Sequence, residues 1–166
     1  MTVTAVNKDT DSLTMSISAE FEADAARVWE LWADPRQLER WWGPPTYPAT
    51  MTTHELRPGG EVKYHMTGPE GDEHHGHWRI TALSEPTSLA FLDSFADSDG
   101  TPNDEMPKTD ISVLIEELGD GRTRMSISSV FESLEAMEQL IAMGMEEGMT
   151  EAMGQIDAIL AGQPVR

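Results

Sequence analysis

Three histidines crowd into one pentapeptide of the chain, and their spacing raises the question of a metal site. The segment Glu-His-His-Gly-His runs from Glu73 to His77. On a strand, His75 and His77 share a face, and two imidazoles are a possible start for a zinc site. The same alternation assigns Trp78 and Ile80 to the core, and therefore both histidines to the opposite, outer face. We predict a solvated histidine cluster and no bound metal.

No spacing of acids, bases and nucleophiles in the chain matches a known catalytic arrangement. The chain has 30 acidic residues, and none is set apart as an acid–base pair. Asp93 is in a predicted strand, but the alternation there does not make it clearly inward. Gly59 and Gly60 lack the lysine and the following helix of a phosphate loop. The serines at 126–129 have no matched histidine. The catalytic residues are therefore unknown and no cofactor is predicted.

The last third of the chain suits a different chemistry, the binding of apolar molecules. From Ser133 to Leu160 there is no proline, and at 100° per residue Met137, Met145 and Met149 fall on or beside one apolar face. The pattern predicts one long, uninterrupted helix capped by Ser133. Methionine side chains are flexible and polarizable, so this face either fills the core or forms one wall of a ligand cavity. Gln155 is expected near the helix end, in water, with a lone polar group in the cavity as the alternative.

Two short helices are predicted ahead of most of the strands. Asp24 can cap the first, and Asp34 with Pro35 begins the second, which stops after Trp42 at a Gly-Pro-Pro segment. Trp41 and Trp42 are adjacent, so they cannot both face inward on one helix. One of them is expected at the cavity mouth and the other outside.

The strands follow from alternation and from turn residues. Residues 1–12 are polar and are expected to fray, and residues 161–166 form a second tail. The segment 97–108 is acidic and has no periodicity, so it is expected to be a solvent loop, with a lid as the alternative. The predicted strands are 13–21, 48–56, 62–66, 76–83, 89–95, 111–118 and 122–131.

Composition limits the kind of protein this can be. The chain has 166 residues, no cysteine and a formal charge of −19, and one domain over residues 13–160 accounts for every element. The charge disfavours nucleic acid and anionic membranes as partners. No apolar run is long enough to span a bilayer, and no secretory signal is present at the N-terminus, so a cytoplasmic location is expected.

The order of the elements predicts an α+β fold. Strands joined in succession by tight turns form an antiparallel sheet with one buried face. The terminal helix is the only element long enough to cover that face. We therefore expect a helix-grip fold: a curved antiparallel sheet of about six or seven strands around a long C-terminal helix, with the two short helices after the first strand closing one end.

Several segments together resemble a known family. Val28–Trp29, Asp34–Pro35 and the Trp-Trp-Gly-Pro run at 41–44 lie within a stretch, Ala19 to Pro45, that resembles the opening of the family named after the activator of the ninety-kilodalton heat-shock protein ATPase. That family belongs to the START-like, birch-pollen-allergen-like superfamily (SRPBCC). The Leu-Arg-Pro-Gly-Gly turn at 56–60 and the strands at 76–91 agree with it. The resemblance spans about residues 13–160.

The resemblance implies a helix-grip fold with a cavity between sheet and helix, but not one activity. Relatives commonly carry tryptophan in the last helix, where this chain has Met145 and Met149, which implies a softer pocket. The chaperone activators carry a further N-terminal domain, so chaperone activation is not transferred. The expected pocket residues are Trp41, Trp42, Tyr64, Met66, Trp78, Phe91, Met137, Met145 and Met149.

Three functions remain open at this point. The first is binding of an apolar or amphipathic small molecule in the cavity, without metal or cofactor. The second is a cofactor-free enzyme of the cyclase, aromatase or hydrolase type found in the superfamily, with Tyr64, His65 and Gln155 as its first suspects. The third is a protein-interaction or chaperone-associated module, with a homodimer as one form of it.

Overall fold

The computed structural model describes residues 2–162 of the chain. Within them, eight strands form one antiparallel sheet and five helical segments accompany it, which confirms the predicted α+β class and helix-grip architecture. The elements in chain order are β1 (Thr2–Asp9), β2 (Thr14–Phe21), α1 (Ala25–Ala33), α2 (Pro35–Trp41), β3 (Ala49–His54), β4 (Glu61–Thr67), β5 (Glu73–Ser84), β6 (Ser88–Ala96), β7 (Thr109–Gly119), β8 (Arg122–Phe131), α3 (Leu134–Ala142), α4 (Met145–Met153) and α5 (Ile156–Leu160).

The strand order across the sheet is β1-β2-β8-β7-β6-β5-β4-β3. Strands β3 to β8 form a meander in which each strand pairs with the next, and the β1–β2 hairpin joins its far side through β8. Helices α1 and α2 carry the chain from β2 across to the opposite edge at β3. The cavity described below lies against the half of the sheet formed by β4, β5 and β6.

Strand β2 shows how the two faces of the sheet are stabilised. Met15 and Ile17 are buried on the inner face, as the alternation predicts. The intervening Ser16 and Ser18 lie on the outer face, where their hydroxyl groups hydrogen-bond to serines of β8 at 3.0 and 2.9 Å. The inner face is therefore held by burial of apolar side chains and the outer face by cross-strand hydroxyl pairs.

The N-terminal segment differs from the prediction. Residues 1–12 were expected to fray, whereas Thr2–Asp9 form an edge strand paired antiparallel with β2. An edge strand is held by main-chain hydrogen bonds and needs few buried side chains, so its polar sequence did not reveal it. This strand brings the sheet to eight strands instead of six or seven. At the other end Ala161 and Gly162 form a turn, and the rest of the predicted tail, residues 163–166, lies outside the described residues.

The two short helices begin where the capping residues predict. The Asp24 carboxylate accepts the Arg27 backbone N–H at 2.8 Å, and Asp34 accepts that of Arg36 at 2.9 Å, with Pro35 as the first helical residue. Capping groups of this kind satisfy amide groups that have no partner inside the helix.

The C-terminal helix is not continuous, contrary to the prediction. It breaks first at Gly144, whose φ of 93° lies in the left-handed region, and again at a turn around Gly154 and Gln155. Glycine adopts positive φ at little cost, which is why the chain can turn at Gly144 without losing the packing on either side. No helix in residues 2–162 is long and apolar enough to cross a membrane.

Candidate ligand-binding cavity

A cavity of about 400 Å³ lies between the sheet and the C-terminal helices. Its sheet wall is formed by β4, β5 and β6, and its helix wall by the end of α3, the break at Gly144 and α4. The segment after α2 closes a third side. Met66 on the sheet and Leu140, Met149 and Ala152 on the helices give the wall a mostly apolar surface. Such a space suits a small molecule with a large apolar body.

The nine residues predicted for the pocket separate into two groups. Five line the cavity: Trp42, Tyr64, Met66, Met145 and Met149. Four are buried in the core and do not line it: Trp41, Trp78, Phe91 and Met137. The helix face presented to the sheet is therefore cavity wall at Leu140, Met145 and Met149 and plain core at Met137 and Met153.

Both tryptophans at the end of α2 are buried, so the prediction that one lies outside was wrong. Trp41 is the last helical residue, and its indole N–H donates to the Leu31 carbonyl at 3.0 Å. Trp42 has left the helix, with an extended ψ of 122°, and turns its ring toward the sheet. Two adjacent residues can face the same core when the helix ends between them.

The inner end of the cavity is built from packed aromatic rings. Trp78 stacks on Phe91 with ring centroids 4.0 Å apart, and Trp42 meets the Trp78 ring edge-on at 4.9 Å. Tyr64 packs edge-on against both tryptophans, at 6.3 Å from Trp42 and 5.8 Å from Trp78. Rings at these spacings and angles are mutually attractive, so this end of the cavity is rigid.

An aspartate sits among these rings. Asp93 on β6 is directly opposite Trp78 on β5, and it lines the cavity next to Tyr64. Burial raises the pKa of Asp93 to about 7, although the Tyr64 hydroxyl and the Trp78 N–H beside it act in the opposite direction. Burial and the neighbouring Asp93 raise the pKa of Tyr64 well above its usual value. Near neutral pH the Asp93 carboxyl group can therefore gain or lose a proton, whereas the Tyr64 hydroxyl group keeps its proton.

Two indole N–H groups next to this pair have no hydrogen-bond acceptor. They belong to Trp42 and Trp78, which are 5% and 0% exposed. Both approach the Tyr64 hydroxyl closely enough to lower its pKa, and Trp78 does the same for Asp93, yet neither reaches hydrogen-bonding geometry. Buried donors without acceptors are uncommon and often mark functional sites. We call Trp42, Tyr64, Trp78 and Asp93 the polar cluster.

The position of Tyr64 depends on a glycine on the neighbouring strand. Gly76 on β5 pairs directly with Tyr64 on β4, and a Cβ atom on Gly76 would overlap the Tyr64 ring. The ring therefore lies flat over the glycine, and this places its hydroxyl near Asp93. A side chain at residue 76 would push the ring away from the polar cluster.

The mouth of the cavity is polar and more exposed. The Tyr47 hydroxyl donates to the Asp72 carboxylate at 3.0 Å, and His74 lies 3.2 Å from the same carboxylate. Met143, 57% exposed, lies on the helix side of the opening. A shallower groove of about 620 Å³ adjoins the mouth and shares His74 with it.

The histidine cluster is only partly solvated, so that prediction needs correction at His77. This side chain is on the outer face, as predicted, but is 2% exposed, between its cross-strand neighbours Lys63 and Ser94. Burial lowers the pKa of His77, with Glu61 at 3.8 Å acting in the opposite direction. Within residues 2–162, no three His, Asp or Glu side chains converge as a metal site would require.

The suspected catalytic residues do not come together. Tyr64 lines the cavity, whereas His65 is on the outer face beside His75, with ring centroids 5.5 Å apart. Gln155, expected in water, is 8% exposed, and its amide donates to the Trp41 and Gly43 carbonyls at 3.2 and 2.8 Å. It therefore connects the turn after α4 to the end of α2.

The acidic segment 97–108 is folded, contrary to the prediction of a structureless loop. The Asp97 N–H donates to the Thr101 carbonyl at 2.8 Å, and Asn103 donates to Phe95 at 2.8 Å. Ala96 also forms a bridge with Pro102. The segment is thus a hydrogen-bonded turn that extends β6, and its residue 107 reaches the cavity wall.

Asp93 is the functional residue that the sequence analysis named but did not assign to the cavity. The alternation of Leu89, Phe91 and Phe95, all on the inner face, includes Asp93 at the same spacing, so a polar residue in an apolar series was visible. No sequence pattern could reveal the two indole groups without acceptors, because their surroundings come from segments that are distant in the sequence.

Comparison with known proteins agrees with the fold. The family model described as Activator of Hsp90 ATPase homolog 1-like protein matches residues 22–161. The crystal structure of protein Ms6760 from Mycobacterium smegmatis has 49% identity and a TM-score of 0.88, covering 96% of this chain and 97% of that one.

A protein from Arthrobacter aurescens, solved by NMR, has 54% identity and a TM-score of 0.92, covering 97% of this chain and 93% of its own. The crystal structure of CalU16 from Micromonospora echinospora, at 17% identity and a TM-score of 0.57, covers 90% of this chain and 82% of that one and shares the fold alone. No curated protein matches the chain.

Proposed function

Because this chain belongs to the Activator of Hsp90 ATPase homolog 1-like protein family, we propose that it binds one apolar or amphipathic small molecule in the cavity between its sheet and its C-terminal helices. The observation that carries the proposal is the cavity of about 400 Å³, with apolar walls on both sides and a polar cluster at its inner end. Family and fold support a ligand-binding or related module in general. The cavity supports the proposal that the ligand binds between the sheet and the helices.

The cavity wall accounts for the expected source of affinity. Met66, Met145 and Met149 present flexible apolar side chains from opposite walls, so they can adapt to the shape of a ligand. Burial of apolar surface contributes about 25 cal/mol per Å² before the entropic costs of association. The rigid aromatic rings at the inner end favour a defined position for one end of the ligand. The flexible methionine walls can adapt to the rest of it.

The proposal is tested by asking what the purified protein carries and what it takes up. Native mass spectrometry of protein from its own host should show an added mass that is lost on denaturation. The neutral apolar dye Nile red should bind the emptied protein and raise its melting temperature. Protein that carries no added mass, and that neither binds the dye nor shifts its melting temperature, contradicts the proposal.

A matched pair of variants ties the dye to the cavity. Gly148 lines the cavity and has open space around the position of a Cβ atom, so Gly148→Phe should fill the cavity and abolish dye binding. Leu114, exposed on the outer face of β7, provides the control Leu114→Phe, which should leave dye binding unchanged. Equal dye binding by both variants would show that the dye binds outside the cavity.

An enzyme is the second candidate, and the approach of Asp93 to Tyr64 favours it. A carboxyl group whose pKa is raised to about 7 can donate or accept a proton near neutral pH, as a general acid or base requires. If the co-purified molecule is a substrate, wild-type protein converts it, whereas Asp93→Asn binds it without conversion.

A protein-interaction role and a homodimer remain predictions of the sequence, as does a cytoplasmic location. The large exposed apolar side chains are on separate segments: Val6, Leu114, Val130, Leu134 and Met143. Such scattered residues are ordinary on protein surfaces and do not favour a docking site.

A further inference from the structure

The polar cluster divides into groups that face the cavity and groups behind them. Tyr64 and Asp93 line the cavity, and the Asp93 side chain is only partly buried by protein atoms. Trp42 also lines the cavity, but the indole nitrogens of Trp42 and Trp78 have almost no accessible surface. A ligand therefore meets one hydroxyl group and one carboxyl group at the inner end.

The indole groups decide how Tyr64 can bond. The indole N–H groups beside the Tyr64 oxygen can only donate and have no acceptor of their own, whereas the neighbouring Asp93 carboxyl group can accept. With donors beside its oxygen, the Tyr64 hydroxyl group uses its own hydrogen for an acceptor, either Asp93 or a ligand oxygen. Asp93, adjacent to it, offers the acceptor oxygens.

The charge of the cavity restricts the ligand further. Asp93 is the lone carboxyl side chain among the residues that line it, and no lysine or arginine is among them. The whole chain carries a formal charge of −19. The two histidines of the lining, His74 and His75, are outside the polar cluster, so a carboxylate or phosphate head group at the inner end would meet a carboxyl group without a lysine or arginine. This disfavours fatty acids and other anionic amphiphiles.

We propose that the polar cluster is the head-group subsite of the cavity, and that it takes an apolar molecule ending in a neutral hydroxyl group, an alcohol or a phenol. The ligand oxygen accepts the Tyr64 O–H, and the ligand hydroxyl donates to Asp93. A hydroxyl group supplies one acceptor and one donor at the same atom, which matches the adjacent donor and acceptor of the site. This inference rests on the proposed function, because it assumes that the cavity takes a ligand.

The test compares four probes that share one apolar body: naphthalene, 2-naphthol, 2-naphthoate and protonated 2-naphthylmethylamine. Binding to emptied wild-type protein is measured by calorimetry at pH 7. We expect 2-naphthol to bind about ten-fold more tightly than naphthalene, about 1.4 kcal/mol, and naphthoate to bind most weakly. A preference for the amine or for naphthoate, or equal binding of all four, overturns the inference while cavity binding stands. Failure of all four probes to bind counts against the proposed function itself.

Two tyrosine variants locate the subsite. Tyr64→Phe removes the hydroxyl group and keeps the ring, so the affinity for 2-naphthol should fall to that for naphthalene, and naphthalene binding should not change. Tyr47→Phe is the matched control, because Tyr47 is at the mouth and bonds to Asp72. Because Tyr47 lines the mouth and is outside the polar cluster, this variant should lose much less 2-naphthol affinity than Tyr64→Phe. Equal loss of 2-naphthol binding in both variants, or in neither, would overturn the assignment. If Tyr64→Phe does not fold, the ranking of probes by the wild-type protein decides.

Discussion

Asp93 couples the chemistry of the cavity to the stability of the protein. Its carboxyl group loses much of its hydration between Tyr64 and Trp78, and the protonated form is favoured as a result. The native protein therefore binds this proton more tightly than the unfolded chain does. A group placed for a ligand thus lowers stability at neutral pH, as is common at functional sites.

We expect the contribution of Asp93 to stability to decrease as pH rises. In the unfolded chain the carboxyl releases its proton near 3.8, and in the native protein near 7, so between these values the native state holds more protons. The free energy of unfolding should fall by about 1–2 kcal/mol from pH 5 to pH 8, less than the full pKa difference implies because cavity water screens the charge. Urea titrations of wild type and Asp93→Asn measure it. Parallel pH profiles of the two proteins would contradict the assignment.

His77 provides a control of opposite sign. Burial lowers its pKa, so in the window just below 6.5 the unfolded chain holds more protons than the native protein. Its contribution to stability is lost as pH falls through that window. In the wild type, His77 makes the free energy of unfolding rise with pH in this window, and His77→Gln should reduce that rise. Asp93 makes the free energy of unfolding fall with pH, and Asp93→Asn should reduce that fall.

At the scale of elements, α4 is the segment that distinguishes cavity wall from core. Met149 lines the cavity, whereas Met153, four residues later on the same helix, is fully buried and does not. The two side chains are chemically identical, and their surroundings differ in free space.

We expect Met149→Trp and Met153→Trp to have different effects on stability. The larger ring at residue 149 enters free space, so the melting temperature should stay the same or rise. At residue 153 the ring has no space, and overpacking should lower the free energy of unfolding by about 1–3 kcal/mol. Thermal and urea unfolding of both variants test this. Equal destabilisation would show that residue 149 is also packed core.

The elements themselves were largely predictable, and the failures have physical reasons. The caps Asp24 and Asp34 fixed the starts of α1 and α2 correctly, because capping is local chemistry. The break at Gly144 was missed, since a glycine inside a helix costs only about 1 kcal/mol and a helical pattern tolerates it. The burial of Gln155 was missed for a different reason, because its hydrogen-bond partners at the end of α2 are more than a hundred residues away in the sequence.

The whole molecule is strongly acidic, and the charge should be visible in its stability. With a formal charge of −19, repulsion among surface carboxylates opposes the compact state. Raising KCl from 10 mM to 0.5 M shortens the screening length several-fold.

We expect this salt increase to raise the melting temperature at pH 7 by about 3–6 °C, equivalent to about 1–2 kcal/mol for a chain of this size. Near pH 4.4, the isoelectric point of the sequence, the same salt should have little effect. Calorimetric scans at both pH values measure the difference, and an equal effect at both would rule out charge repulsion as the cause.

The fold as a whole was easier to predict than its site. Alternation identified seven of the eight strands, and tight turns between successive strands predicted an antiparallel sheet. The site needed information that no local pattern holds. Tyr64, Trp78 and Asp93 come from three strands, and the register between β4, β5 and β6 brings them together.

The Tyr64 ring over Gly76 has a consequence for how such proteins diverge. The space occupied by the ring is the space that a side chain at residue 76 would need, so the two positions cannot vary independently. A relative with a larger residue in place of Gly76 has no room for an aromatic ring in place of Tyr64, and it loses the hydroxyl with the ring. Substitution at a buried glycine of β5 would thereby change the chemistry of the cavity, and paired replacement at these two positions would separate relatives by ligand class.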